Sequence, residues 1–332
     1  MAELKCIAES PNPTDPAIIF IHGLDGHASQ TWMADNTDEK TLWPKWLAED
    51  FNCSVFLMAY DASLSKWKDS AMPLPDQGDA TLHAFCDEPK LKGRPLILVG
   101  HSMGGLVIKT AIQNGLSKGV ARFKEMVNQI RGVVFVGTPH NGAQLATLAT
   151  YAAVFLRTNT QVKNMQMHDA HLRALNAQFL AYYNDPPAGK VSALTFTETQ
   201  GVFVGKRILG IRVGPTVTIV GPNDGNAHVR GEVPVPLAEN HISMCKLSNK
   251  NQPLYKSLLR FLREDVDLAL SSVASEVDGS VGKELPNETE KVAEETPEKP
   301  QPTITTGNIT AGDGGVAVGV SHGSITITNN RP

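Results

Sequence analysis

The chain has 332 residues, 34 acidic and 30 basic, and a formal net charge of −4. That length buries a substantial core in one large domain with appendages, and a mild negative charge without a Lys/Arg cluster excludes a generic nucleic-acid-binding surface. No apolar stretch is long and uninterrupted enough to span a bilayer. Residues 1–6 lack the apolar core of a secretory leader before the turn at Pro11. Cys6, Cys53, Cys86 and Cys245 lie far apart, without metal-ligand spacing, and read as reduced thiols, so a cytoplasmic location is the expectation.

In chain order, the first buried strand is the apolar run 17–21, which ends in His22-Gly23-Leu24-Asp25-Gly26-His27. A second apolar run, 95–99, leads into Gly100-His101-Ser102-Met103-Gly104-Gly105 and then into the helix-like residues 106–111. A Gly-x-Ser-x-Gly between a buried strand and a helix is the nucleophile elbow of α/β-hydrolases. The serine sits on a sharp, strained turn that bulky neighbours would block. Ser102 is therefore the candidate nucleophile. In the same fold an earlier His-Gly turn and the residue after the serine each supply a backbone N–H to an oxyanion, which makes Leu24 and Met103 the matching positions.

Further buried strands are expected over 131–139, 191–197 and 216–220. The fold imposes the order serine, acid, histidine. Glu198 stands at the end of the second of these runs, where the acid is usually presented. Asp224, in Gly221-Pro222-Asn223-Asp224-Gly225, is the alternative, and its neighbours also make it a good turn former. A base from a loop after the acid leaves His228, His241 and His322; His241, in Glu239-Asn240-His241-Ile242-Ser243 ahead of a helical segment, is the choice. The chemistry expected is acyl transfer from a carboxylic ester through an acyl-enzyme, for which no cofactor or metal is needed; the alternatives are a serine peptidase or amidase on the same fold and a non-catalytic signalling scaffold.

Alternation of apolar runs and helical patterns predicts a doubly wound, mostly parallel sheet within a hydrolase domain spanning 1–274. The insertion 143–190 has helical apolar spacing over 143–183, which suits a helical cap with an inner face for acyl chains or helices packed on the core. A last helix is expected from Pro253 to about residue 274, from its apolar spacing. Residues 276–300 hold eight Asp/Glu against three Lys, so 275–302 reads as an acidic disordered linker, and the remainder of the chain carries +1. The tail, 303–332, alternates β-branched with small polar residues between Gly-containing turns, a pattern able to stack in a cross-β array.

These motifs, with Thr31-Trp32, Tyr60-Asp61-Ala62, Gly137-Thr138-Pro139-His140-Asn141-Gly142, Glu198-Thr199 and Cys245-Lys246, make residues 1–265 resemble the lipase-like serine hydrolases. The resemblance is to the serine-active-site-protein group and its relatives near the GPI inositol-deacylases. It implies a Ser102, Glu198, His241 triad and an ester or lipid substrate, with peripheral membrane contact. The family's Phe-Tyr-Glu-Thr is Phe196-Thr197-Glu198-Thr199 here, and its Ser-Ala segment is replaced by residues 221–228. The tail resembles short amyloid signalling motifs of fungi and bacteria, which implies an NLR-type receptor partner, or self-association, through residues 303–332.

Overall fold

The computed structural model describes residues 2–62, 73–140, 166–203, 206–208, 211–214, 216–266, 319–321 and 324–326. The chain forms two compact units, 1–283 and 284–332. In the first, a seven-stranded sheet runs in the order β1 (Glu3–Ala8), β3 (Ser54–Ala59), β2 (Ala17–Ile21), β4 (Leu96–His101), β5 (Ile130–Val136), β6 (Ser192–Glu198), β11 (Val235–Leu237). All pairings are parallel except β1 with β3.

Strands covered on both faces read as continuous apolar runs, and their side chains alternate between two cores. Ile18, Phe20, Ile97, Val99, Val134 and Val136 enter one core, closed by Trp32, Trp43, α1 (Pro44–Asp50) and the last helix, α6 (Pro253–Phe261). Ile19, Ile21, Leu96, Leu98, Val133 and Phe135 enter the other. That side is closed by α2 (Leu74–Asp87), α3 (Met103–Ser117), α4 (Ala121–Asn128) and α5 (Gln166–Asn184). Proline stands at the start of α1, α2 and α6, where the missing N–H costs no intrahelical bond. After β2 the chain builds one flank of the sheet through β3 and then crosses to β4, so the topological switch point of the sheet lies at the carboxyl ends of β2 and β4.

Two expectations change. Residues 216–220 do not join the main sheet: only Thr216–Val217 form a strand, β10, which pairs with β7 (Val202–Phe203) in a separate small sheet, and the strand on the outer side of β6 is β11. The last helix gives way after Phe261 to a π-turn over Leu262–Val266, and its expected continuation to 274 lies outside the described residues. The same holds for 141–165 of the insertion and for the linker 275–302, while α5 supplies the later part of the insertion as a helix. A small antiparallel pair is formed by β8 (Lys206–Ile208) and β9 (Ile211–Val213). In the second unit, β12 (Gly319–Ser321) pairs antiparallel with β13 (Ser324–Thr326). Among the described residues no helix is long and apolar enough to cross a membrane.

Candidate active site

Ser102 joins β4 to α3 with φ 53° and ψ −122°, a left-handed conformation that side-chain-bearing residues rarely adopt. Such a turn costs about 1–3 kcal/mol and persists only where its surroundings over-determine it. Here Ser102 N–H donates to the Val136 carbonyl at 2.9 Å, and Gly105 N–H donates to the Ser102 carbonyl at 3.1 Å. The turn also requires glycine at 104, because a Cβ there would run into the backbone carbonyls of Ile21 and His22. The elbow is thus wedged against the end of β2.

Glu198, the last residue of β6, is fully buried. Its Oε1 accepts the Ile219 and Val220 N–H groups at 2.6 and 2.9 Å, and its Oε2 accepts from His241 Nδ1 at 2.6 Å. His241 Nε2 lies 3.0 Å from Ser102 Oγ. With Nδ1 protonated towards the carboxylate, Nε2 holds the lone pair that faces the serine hydroxyl. Ser102 and His241 are each 3 % exposed, so the three side chains meet largely shielded from solvent. Ile219 and Val220 therefore turn their amides onto a carboxylate instead of onto a neighbouring strand, which is why the strand β10 stops short of them.

The other candidates lie elsewhere. Asp224 sits in a turn, its N–H on the Gly221 carbonyl at 3.1 Å and its own carbonyl accepting from His140 N–H at 2.9 Å. The carboxylate at His241 Nδ1 is that of Glu198. His228 is exposed, and His322 lies outside the described residues.

The loop after β2 approaches the serine closely: a Cβ on Gly23 would lie 2.8 Å from Ser102 Cβ. Tyr60 stacks on His22 with ring centroids 4.4 Å apart and donates its hydroxyl to the His22 carbonyl at 2.7 Å. Asp25, at φ 55°, donates its N–H to the Ala62 carbonyl at 2.9 Å. The segment Tyr60-Asp61-Ala62 thus holds the turn that carries Leu24. Met103 opens α3, so its N–H has no intrahelical acceptor and lies at the positive end of the helix dipole.

The His241 loop is secured as firmly. Asn240 Oδ1 accepts the Ile242 and Ser243 N–H groups, each at 3.0 Å. Trp43 Nε1–H donates to the Cys245 carbonyl at 2.9 Å, and Lys246 Nζ donates to the Gln30 and Met33 carbonyls at 2.8 and 3.2 Å. Gly137, at φ 56°, leaves room for the ring, since a Cβ there would stand 3.2 Å from His241 Nδ1.

Sequence reasoning missed one buried polar node. Lys109 of α3 is 1 % exposed, donates to His140 Nδ1 at 2.6 Å and to Asn176 Oδ1 of α5 at 2.5 Å, and lies 5.0 and 4.9 Å from the Phe135 and Phe179 ring centroids. Burial holds the Lys109 amine and the His140 imidazole well below their ordinary values, and burial likewise lowers His22. On sequence alone Lys109 is one lysine within a helical run, without any sign that it faces inward. Among the described residues no group of three or more His, Cys, Asp and Glu is arranged to hold a metal ion, and all four cysteines are free thiols.

The sheet order, the strand–serine–helix turn and the flanking helices define a lipase-like α/β-hydrolase fold. Residues 79–184 match the family model described as a PGAP1-like alpha/beta domain. The chain is similar to Protein SERAC1 of Mus musculus, 28 % identical over 279 residues, which is 78 % of this chain and 40 % of that protein. It is equally similar to Protein SERAC1 of Homo sapiens, 28 % identical over 271 residues, or 76 % and 39 % of the two chains. The chain spans only about two fifths of the length of these relatives. Among solved structures, phospholipase PlaB from Legionella pneumophila superposes with a TM-score of 0.56 at 14 % identity, over 80 % of this chain and 63 % of that one. The mature Bacillus licheniformis lipase BlEst2 gives 0.51 at 20 % identity, over 78 % and 98 %.

Proposed function

We propose that the protein is a serine hydrolase that cleaves carboxylic esters, lipid-like ones above all, through an acyl-enzyme. One observation carries this reading: a continuous buried chain from Glu198 Oε2 through His241 to Ser102 Oγ, with links of 2.6 and 3.0 Å. Ser102 is the nucleophile. His241 takes its proton as Oγ attacks the carbonyl carbon, and Glu198 holds the ring and stabilises the imidazolium. The N–H groups of Leu24 and Met103 receive the oxyanion, His241 protonates the departing alcohol, and water then releases the acid. Preference for lipid esters draws support from the lipase and phospholipase among the similar folds and from the apolar side chains of Leu24 and Ile242 beside Leu106, Leu172 and Ile219.

The test is turnover of a short-chain ester, a phospholipid and an amide by wild type and Ser102→Ala. Ester or phospholipid turnover that vanishes with Ser102 supports the reading. Amide turnover above ester turnover makes the protein a serine amidase on the same fold, and turnover that survives Ser102→Ala overturns it. As a second reading, the alternation of β-branched and small polar residues over 303–328 supports recruitment of this unit, by an NLR-type receptor or by a second copy. A full-length chain that sediments no faster than one ending at residue 302 contradicts that reading.

A further inference from the structure

The residue between the two elbow positions Gly100 and Ser102 has no part in the proton relay, yet it touches both other loops of the site. His101 Nε2 lies 3.0 Å from the backbone carbonyl of His241. A carbonyl only accepts, so this nitrogen carries the proton and donates. The opposite nitrogen, Nδ1, is buried and meets no hydrogen-bond partner among the described residues. It faces the Cα of Gly23: a Cβ built there would stand 3.2 Å from Nδ1 and 2.8 Å from Ser102 Cβ. The edge of the ring packs against Trp32, centroids 6.3 Å apart, and its face is tilted towards the His241 ring at 5.0 Å.

We propose that His101 is a positioning residue for the hydrolysis reaction: a neutral imidazole, protonated at Nε2, that hangs the backbone of His241 from the elbow while bracing Gly23 and hence the Leu24 amide. The inference rests on the function proposed above and extends it to the otherwise variable position of the elbow. Three requirements meet in this one ring. The donor at Nε2 sets the height of His241, whose side chain must meet Ser102 Oγ and Glu198 Oε2 at once. The flat, unprotonated Nδ1 edge lets the Gly23 turn close onto the serine. Neutrality matters too, because a second positive ring 5.0 Å from His241 would oppose formation of the imidazolium. Burial favours the same neutral form, drawing the His101 pKa down to about 3.

The experiment compares His101→Gln with His101→Met, two side chains of nearly equal length and volume that differ in the amide donor. Gln presents an N–H where Nε2 stood; Met presents none. Saturation kinetics of Ser102 phosphonylation by a fluorophosphonate are followed at a temperature well below the melting point of each variant. Loss of the hanger lets the base drift by a fraction of an ångström, so His101→Met is expected to lower the limiting rate about 10- to 100-fold with unchanged half-saturation, and His101→Gln to restore it to within about threefold of wild type. Equal rates for Gln and Met, or a change confined to half-saturation, overturn the proposal. Wild type that fails to label at Ser102 refutes the hydrolase reading itself, a separate outcome. Nitrogen-15 spectra of the wild-type imidazoles give a measurement independent of any variant: the His101 ring is expected as the neutral Nε2–H tautomer at pH 6, and a charged or Nδ1–H ring there overturns the assignment.

Discussion

Replacing Glu198 by glutamine changes one atom and tests the proposed relay at its least accessible point. The two carboxylate oxygens have different partners: Oε1 accepts from the Ile219 and Val220 amides, and Oε2 accepts from His241 Nδ1. Two backbone N–H groups admit only an oxygen, so the carboxamide orients its oxygen towards residues 219 and 220 and turns its NH2 towards Nδ1. Facing a donor, Nδ1 gives up its proton and becomes the acceptor, and the proton moves to Nε2, 3.0 Å from Ser102 Oγ. The imidazole then offers the serine a donor where a base is required. A wrong tautomer in a triad lowers kcat by about 10⁴, some 5 kcal/mol in the barrier. The fold loses little, since both amides keep an acceptor and the hydrogen-bond count is unchanged. Glu198→Gln is therefore expected to melt within a few degrees of wild type while its ester kcat falls about 10³- to 10⁴-fold. A loss below tenfold in a folded variant refutes the reasoning, because the orientation of His241 would then not depend on this carboxylate.

Two further predictions concern proton linkage. Burial lowers the pKa of His101 to about 3 and also depresses His22 and His140, so below the ordinary histidine value of 6.5 the unfolded chain binds protons that the folded chain refuses. Stability accordingly rises with pH over this range, by about 1.4 kcal/mol per pH unit for each such histidine while its unfolded form is protonated. Urea unfolding at pH 7, 6 and 5 should show the midpoint falling steadily with acidification, and a midpoint unchanged or rising at pH 5 contradicts the buried neutral imidazoles. The Lys109 amine carries the same sign in a higher window, since its folded value lies well below 10.5. The stability of wild type relative to Lys109→Met is expected to improve between pH 7 and pH 10, and a difference independent of pH refutes a depressed Lys109.

Much of the site was legible because its chemistry demands local patterns. The elbow needs glycines around a serine, a buried strand before it and a helix after it, and all of these stand within residues 95–111. The order of acid and base along the chain then favoured Glu198, with Asp224 as the alternative, and chose His241; the fold places the Glu198 and His241 side chains in line with Ser102. Less local features were hidden. The strand Val235–Leu237 has three residues with a proline at its centre, too short for any periodicity, and it forms because β6 offers an unpaired edge. Residues 216–220 carry the composition of a strand, but composition does not reveal that the amides of Ile219 and Val220 are taken by a buried carboxylate. Lys109 lies in a helix whose inward face is fixed only when α5 and the loop after β5 close over it. Long-range partners of this kind have no signature in residue spacing.

If Ser102 is an activated nucleophile driven by His241, covalent labelling reports it. Wild type, Ser102→Ala and His241→Ala are treated with a fluorophosphonate probe, and the modified peptide is identified by mass spectrometry. An adduct is expected on Ser102 in wild type, none in Ser102→Ala, and slow labelling in a folded His241→Ala. Folded wild-type protein that takes up no probe, or takes it up at a residue other than Ser102, contradicts this expectation.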